Sequence, residues 1–121
     1  MTNILTVDDS ASIRAAIKIA LTSEGYGVAE ARDGQEGVAQ ADAGDFQLII
    51  TDLNMPVMDG LTMIRTLRTK PKHAGVPIIF LTTESDADIK AQAKAAGATG
   101  WLTKPFQPEQ LVGVVRKVLA R

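Results

Sequence analysis

Polar side chains with the chemistry of a phosphate site follow four apolar runs of this sequence. The runs span 3–7, 46–51, 76–81 and 98–103, and the residues that follow them are Asp8, Asp9, Asp52, Thr82, Thr83 and Lys104. Carboxylates suit a hard divalent cation such as Mg²⁺, a hydroxyl can donate to a phosphoryl oxygen, and a lysine carries a point charge on a flexible arm. Phosphoryl transfer needs alignment and charge neutralisation, which such a set supplies.

The elements that must position these residues are short strands alternating with helices. Apolar runs of this length, bounded by turn residues, predict buried strands, and a further strand is predicted at about 26–31. Helical patterns fall between the strands, and such alternation indicates βαβ units with right-handed crossovers and a parallel sheet. Open α/β sheets bind ligands at the carboxyl ends of their strands, so the polar residues are expected to form one site.

The predicted helices have characteristic ends and apolar faces. Ser10, Asp33 and Asp59 are candidate N-caps, Gly97 is a candidate stop, and Pro108 occupies a first-turn position. Helices are predicted over 11–24, after Asp33, after Asp59, over about 86–96 and from Pro108. The residues predicted on inner faces are Ile13, Ile17, Ala20, Leu21, Leu61, Ile64, Leu67, Leu111, either Val114 or Val115, Val118 and Leu119.

The carboxylates meet if the first strand lies between the second and third. Neighbouring strands are about 4.8 Å apart, so Asp8, Asp9 and Asp52 would then lie close enough to repel and to raise one another's pKa. A divalent cation with oxygen ligands removes this conflict, and Mg²⁺ also leaves room for a phosphate oxygen. Asp52 would serve as both metal ligand and nucleophile, because aspartate can form a covalent phosphoryl intermediate.

Composition excludes several other classes of function. The 121 residues predict one domain, and the lack of cysteine excludes disulfides, thiolate zinc sites and cysteine nucleophiles. A net charge of −1 shows no nucleic-acid footprint, and no apolar stretch reaches the roughly 18 residues of a membrane span. The start lacks a secretory pattern, so a cytoplasmic protein is expected. The basic cluster of Lys70, Lys72 and His73 is interpreted as a solvated loop.

The sequence resembles the receiver domain of two-component response regulators, and within it the single-domain chemotaxis (CheY-like) type. The resemblance is carried by ILTVDDS, LIITDLNMPVMDG, PIIFLTTE and GWLTKPF, in that order. It covers essentially the whole chain, so a single receiver domain spanning 1–121 is expected. It implies a doubly wound, flavodoxin-like (βα)5 fold with a five-stranded parallel sheet in the order 2-1-3-4-5.

The resemblance also implies the roles of the acidic residues. Asp52 matches the residue that accepts a phosphoryl group from the phosphohistidine of a histidine kinase. Asp9 matches the direct Mg²⁺ ligand, Asp8 acts largely through water, and the backbone carbonyl of Asn54 completes the protein ligands together with Asp52.

Further positions match the switch. Lys104 matches the lysine that pairs with the phosphoryl group, and its bond to Pro105 is expected to be cis. Thr82 matches the switch hydroxyl, and Trp101 matches the aromatic residue whose inward rotation reshapes the face formed by the fourth helix, fifth strand and fifth helix. The residues expected to mark this output face are Lys90, Lys94, Trp101 and Val114.

Other residues match positions that affect the lifetime of the phosphorylated form. Asn54 and Glu84 would flank the path of the hydrolytic water, which implies fairly rapid self-dephosphorylation. The protein would thus catalyse its own phosphorylation and dephosphorylation while acting mainly as a switch. Met55, Pro56 and Gly60 are expected to shape the loop after Asp52.

The expected function is a phosphorylation-activated regulator that signals by binding a partner, in chemotaxis. The partners would be a histidine kinase and an effector such as a flagellar motor switch component, and a monomer is expected. Binding would be the output because 121 residues leave no room for an output domain, unless the sequence is a fragment. The alternatives are a phosphorelay intermediate or a receiver-fold scaffold that does not depend on phosphorylation.

Two enzyme classes fit less well. A haloacid-dehalogenase-type phosphatase carries its nucleophile on the first strand in a DxD arrangement, where this chain has Asp8-Asp9. Neither nucleotide-binding motif, GxxxxGKS/T or GxGxxG, occurs in the chain.

Overall fold

A computed structural model describes residues 2–83 and 87–120. Five parallel strands form one sheet in the order β2-β1-β3-β4-β5, which confirms the predicted fold and strand order. The strands are β1 (Asn3–Val7), β2 (Gly27–Ala31), β3 (Leu48–Asp52), β4 (Ile78–Thr82) and β5 (Gly100–Thr103).

Five α-helices connect the strands. They are α1 (Ala11–Thr22), α2 (Gly34–Ala43), α3 (Gly60–Arg68), α4 (Ala87–Ala96) and α5 (Pro108–Leu119), and a 3₁₀ turn occupies Pro71–His73. The predicted N-caps are confirmed, because the side chains of Ser10, Asp33 and Asp59 each accept a hydrogen bond from the N–H three residues on. Pro108 begins α5, and Gly97 follows α4 with a φ of +117° that favours glycine.

The strands begin later along the chain than some apolar runs predict. β3, β4 and β5 each start two residues after the start of the corresponding apolar run. Pairing with the neighbouring strand sets these bounds: Leu48 is the first residue of β3 to pair with β1, opposite Ile4. β3 and β4 also end one residue after the corresponding apolar runs, so Asp52 is the last residue of β3 and Thr82 the last residue of β4.

The helices cover both faces of the sheet and bury two apolar clusters. Alternate residues of β1 show the division, since Leu5 and Val7 belong to one cluster and Ile4 to the other. The first cluster includes buried side chains from α2, α3 and α4, and the second includes buried side chains from α1 and α5. The sheet is therefore doubly wound, and the loops at its carboxyl edge are free to carry the site.

The predicted inner faces agree with the observed burial, with one omission. Between the two candidates on α5, Val115 is buried and Val114 is half-buried. On α3, Met63 takes a fully buried place, whereas Leu61 is half-buried. Met63 was not predicted because it lies beside Ile64 and Leu67 on a face wider than the narrow stripe assumed from the sequence.

Candidate functional site

The carboxyl edge of the sheet brings three acidic residues together. Asp8 and Asp9 follow β1, and Asp52 ends the adjacent strand β3. Each offers a carboxylate oxygen within 4.8 Å of the others. Asp8 and Asp52 are buried, whereas Asp9 is exposed, so the cluster opens to solvent on one side.

A lysine from the edge strand reaches into this cluster. Lys104 directly follows β5, and the peptide bond between Lys104 and Pro105 is cis, as the family resemblance implied. The ammonium lies 3.1 Å from Asp8 Oδ2 and 3.3 Å from Asp52 Oδ2, and only 16% of the side chain is exposed. The backbone N–H of Lys104 donates to the carbonyl of Thr82 (2.9 Å), which ties the ends of β4 and β5 together.

The electrostatics of Asp52 are unfavourable in the absence of a cation. Burial raises the pKa of Asp52 above its ordinary value, and the nearby charge of Asp8 raises it further. Lys104 and the N–H of Leu53, which donates to Asp52 Oδ1 (2.8 Å), lower the pKa only in part. The carboxylate of Asp52 therefore lacks sufficient positive charge around it.

Lys104 is held in its charged form. Burial opposes the ammonium, but the hydrogen bond that it donates to Asp8 and the charges of Asp52 and Asp8 outweigh this effect, so the pKa of Lys104 is raised. Three ionised carboxylates and one ammonium leave an excess of two negative charges within the cluster. Hard oxygen donors with this excess charge fit a divalent cation such as Mg²⁺.

Protein donors fix the position of Asp8. Its Oδ1 accepts from the N–H of Ser10 (2.9 Å), its Oδ2 accepts from Lys104, and its backbone carbonyl accepts from Arg14 Nη1 (2.6 Å). Ser10 is also the N-cap of α1, so the start of the helix and the orientation of Asp8 are coupled. Both oxygens of Asp8 are engaged by the protein itself.

Two further predicted site residues, Thr82 and Asn54, lie at or just after the carboxyl ends of their strands and differ in exposure. Thr82 ends β4 and is 2% exposed, one position beyond Leu81, which pairs with Asp52. Asn54 is exposed in the loop after β3. Glu84 lies outside the described residues, as does Asp86, the predicted first residue of the fourth helix.

Trp101 lies on β5, away from the carboxylates. It pairs in register with Phe80 of β4, and the two ring centroids are 6.3 Å apart. The residue is 47% exposed, and the ammonium of Lys90 on α4 lies 4.6 Å from the centroid of its ring. The sequence predicted that both residues mark one face but not that they touch, because this contact depends on how α4 packs beside β5.

The loop after β3 is closely packed against the site. Gly60 begins α3, and a Cβ at this position would lie 2.2 Å from the backbone oxygen of Asp52. In the same loop, Val57 has a φ of 70°, and the N–H of Met58 donates to the carbonyl of Pro56 (2.7 Å) across it. This pairing is that of a three-residue γ-turn, which is strained at a β-branched residue. The strain at Val57 has no signal in the sequence.

The solvated-loop interpretation of the basic cluster is wrong for His73. This residue is only 3% exposed, and its Nε2 lies 2.8 Å from Asp42 Oδ1 at the end of α2. Lys70 pairs with the same carboxylate, and Lys72 donates to the Asp42 carbonyl (2.8 Å). Hydrogen bonds from Lys70 and His73 lower the pKa of Asp42. Asp42 lies about thirty residues earlier in the sequence, so local patterns could not reveal the pairing.

This second cluster lies at the opposite edge of the sheet from the carboxylates. Asp42 is in the last turn of α2, just before β3, and His73 precedes β4, so both lie near the amino ends of the strands. It therefore belongs to the packing of α2 against the segment between α3 and β4 rather than to the candidate site.

None of the helices within residues 2–83 and 87–120 combines the length and the apolar content that a membrane span requires.

Comparisons with known proteins agree with this geometry. Residues 4–116 match the family described as the response regulator receiver domain. The transcriptional regulatory protein ResD of Bacillus subtilis is 37% identical over 120 residues, which cover 99% of this chain and 49% of ResD. The chemotaxis protein CheY of Pseudomonas aeruginosa is 34% identical, and the match covers 98% of this chain and 96% of that protein. The chain thus spans about half the length of several curated relatives and nearly all of another.

Solved structures show the same architecture. The chemotaxis protein CheY4 of Vibrio cholerae superposes with a TM-score of 0.94 at 44% identity, covering 98% of each chain. The receiver domain of the sensor histidine kinase PA1611 from P. aeruginosa, which has a magnesium ion in its active site cleft, gives a TM-score of 0.92 at 29% identity and covers 99% of this chain and 98% of its own. This chain belongs to the response regulator receiver domain family.

Proposed function

We propose that this protein is a phosphorylation-activated switch that accepts a phosphoryl group on Asp52 from the phosphohistidine of a histidine kinase. The observation that carries the proposal is the meeting of Asp8, Asp9 and Asp52 with Lys104 at the carboxyl edge of the sheet. Receiver domains bind Mg²⁺ at an acidic site of this kind. Within the cluster, Asp52 is the carboxylate whose pKa is raised by burial and by a neighbouring acid.

The residues that would hold Mg²⁺ are Asp9, Asp52 and the backbone carbonyl of Asn54. Asp8 would act through water, because its two carboxylate oxygens already accept hydrogen bonds from the protein. Asp9 is exposed and therefore available to an ion arriving from solvent. When bound, Mg²⁺ would neutralise the excess negative charge and bind a phosphoryl oxygen.

The chemical step follows from the position of Asp52. A carboxylate oxygen of Asp52 would attack the phosphorus of the phosphohistidine, forming a new phosphorus–oxygen bond as the phosphorus–nitrogen bond breaks. The electron pair of the broken bond would remain on the imidazole nitrogen of the donor. Lys104, held in its charged form beside Asp52, would stabilise the negative charge of the transferred group. Asn54 and Glu84 would influence the later attack of water.

The signal would leave the site through Thr82 and Trp101. Thr82 is buried at the end of β4, next to the strand that carries Asp52, and its hydroxyl would donate a hydrogen bond to a phosphoryl oxygen. Trp101 lies in the adjacent strand and is half-exposed, and its ring would rotate inward on activation. The output surface would be the face formed by α4, β5 and α5, where a partner would bind.

The pathway we favour is chemotaxis, with an effector such as a flagellar motor switch component. Its support is the similarity to CheY4 over 98% of both chains. We expect a single receiver domain over residues 1–121 that acts as a cytoplasmic monomer. The half-length match to ResD favours a second candidate, the receiver half of a transcriptional regulator.

The proposal is tested by phosphorylation with a small phosphodonor such as phosphoramidate, measured by intact mass. The wild-type protein should gain one phosphoryl group only when Mg²⁺ is present. Asp52→Ala should gain none, whereas Asp45→Ala, which removes an exposed carboxylate far from the site, should behave as the wild type. Phosphorylation of Asp52→Ala at the wild-type level would refute the assignment.

A further inference from the structure

We propose that Lys90 positions Trp101, holding its ring in the exposed orientation and thereby setting how much phosphorylation the switch requires. This inference rests on the proposed function, since it concerns the ring that would move on activation. It assigns to Lys90 a role within the protein, in addition to its place on the output face.

The contact has the geometry of a cation–π interaction. The Lys90 ammonium lies 4.6 Å from the centroid of the Trp101 ring, inside the roughly 6 Å limit for this interaction. Tryptophan is the strongest aromatic partner for a cation. Lys90 is half-buried on α4, whereas Lys94, one turn further along the same helix, is exposed.

The ring is bounded by two different kinds of neighbour. Phe80, paired with Trp101 across the strands, is fully buried and lies 6.3 Å from it between ring centroids, at an interplanar angle of 32°. Lys90 contacts the ring at the protein surface. An inward rotation would carry the ring from the surface into the interior. The ammonium cannot follow the ring there without losing its hydration.

The contact is therefore made in the exposed orientation and lost in the inward one. An interaction present in only one of two states shifts the equilibrium toward that state by its full strength. For an exposed cation–π contact this corresponds to about a two- to fivefold change in the equilibrium between the states. Lys90 would thus oppose activation until the phosphoryl group overcomes it.

The first test uses the single tryptophan as its own reporter. Mg²⁺-saturated protein is titrated with beryllofluoride, which mimics a phosphoryl group on a carboxylate, and Trp101 fluorescence is recorded. Lys90→Gln removes the charge and keeps a polar side chain, so its midpoint should fall about two- to fivefold. Lys90→Arg and Lys94→Gln should keep the wild-type midpoint. Equal midpoints for Lys90→Gln and Lys94→Gln would overturn the proposal.

A second measurement separates this proposal from the proposed function. A double-mutant cycle of Lys90→Gln with Trp101→Leu, followed by urea unfolding without beryllofluoride, measures the contact itself. A coupling of about two- to fivefold in the unfolding equilibrium is expected, and no coupling would overturn the role of Lys90. A measurable coupling with no response of wild-type fluorescence to beryllofluoride would instead show that Trp101 is not the switch. A response that persists in Asp52→Ala would refute the phosphorylation site alone.

Discussion

At the scale of single residues, Asp52 combines chemical suitability with an energetic cost to folding. Its carboxylate is buried beside Asp8, and these two effects raise its pKa against the opposing influence of Lys104. A raised pKa means that the folded protein holds the proton more tightly than the unfolded chain does. The ionised form therefore lowers the stability of the metal-free protein, which is typical of a carboxylate awaiting a cation.

Replacing this carboxylate should stabilise the metal-free protein at neutral pH. Asp52→Asn keeps an acceptor for the N–H of Leu53 and removes the buried charge. Wild-type stability should fall relative to the variant as the pH rises from 3.8, the ordinary pKa, to the raised value, because the unfolded chain loses its proton in this range while the folded protein still holds it. Urea unfolding across this range measures the difference. The cost attributed to Asp52 would be wrong if the variant were less stable than wild type at neutral pH without Mg²⁺.

A second residue-scale cost lies at Val57. It is 75% exposed and has a φ of 70°, where a β-branched side chain is strained by about 1–2 kcal/mol. Val57→Asn should raise the free energy of unfolding by about 1 kcal/mol, since asparagine tolerates this backbone region. Val57→Thr is the control, because it keeps the β-branching and should show little gain. An equal change in both variants would exclude backbone strain as the cause.

At the scale of elements, the site depends on how closely α3 begins against the end of β3. Gly60 is the first residue of α3, and the backbone of Asp52 and Leu53 lies where a Cβ would be placed, at 2.2 and 2.8 Å. Backbone atoms cannot give way as a flexible side chain can. The absence of a side chain at Gly60 therefore sets the position of the strand end that carries Asp52.

Gly60→Ala should consequently weaken both the fold and the metal site. We expect a loss of about 1–3 kcal/mol in the free energy of unfolding, together with weaker Mg²⁺ binding, because the start of α3 must move away from Asp52. Gly113→Ala is the matched control: it lies within α5 with no atom near its Cβ, and should be neutral or stabilising by up to about 1 kcal/mol. Unchanged Mg²⁺ binding in Gly60→Ala would contradict the proposed role of this close contact.

Sequence patterns predict the elements well and their contacts poorly. The strands were predictable because they are continuous apolar runs buried in a parallel sheet, and the caps because Ser10, Asp33 and Asp59 have a local chemical signal. The convergence of Asp8, Asp9 and Asp52 followed once the strand order was known from the family. The pairs Lys90–Trp101 and Asp42–His73 were not predictable, since each joins elements whose relative packing leaves no periodic signal.

At the scale of the whole molecule, Lys104 links the outer strand to the centre of the sheet. It follows β5 by one residue and pairs with carboxylates at the ends of β1 and β3, three positions after Trp101. In the proposed function, a change of charge at Asp52 would act through Lys104 on the strand that carries the aromatic ring. This connection would be the physical basis for coupling between the phosphate site and the output face.

Lys104→Ala should separate phosphorylation from the response of the output face. The carboxylates and their Mg²⁺ remain, so phosphoryl transfer from a small donor should persist, whereas the change in Trp101 fluorescence should be lost. Intact mass and fluorescence are measured on the same sample. Lys18→Ala, on α1 and paired with Glu30 rather than with the carboxylate cluster, is the control and should retain both. A full fluorescence change in Lys104→Ala would show that the coupling does not pass through this lysine.

The central claim is that a charge at Asp52, bound with Mg²⁺, controls the face that carries Trp101. Its most direct test is the fluorescence of Trp101 during titration with beryllofluoride, with and without Mg²⁺, beside Asp52→Ala. We predict a saturable change in the wild-type protein that requires Mg²⁺ and is absent from the variant. A saturable change that persists in Asp52→Ala, or no change in wild-type protein shown to bind Mg²⁺, would contradict the claim.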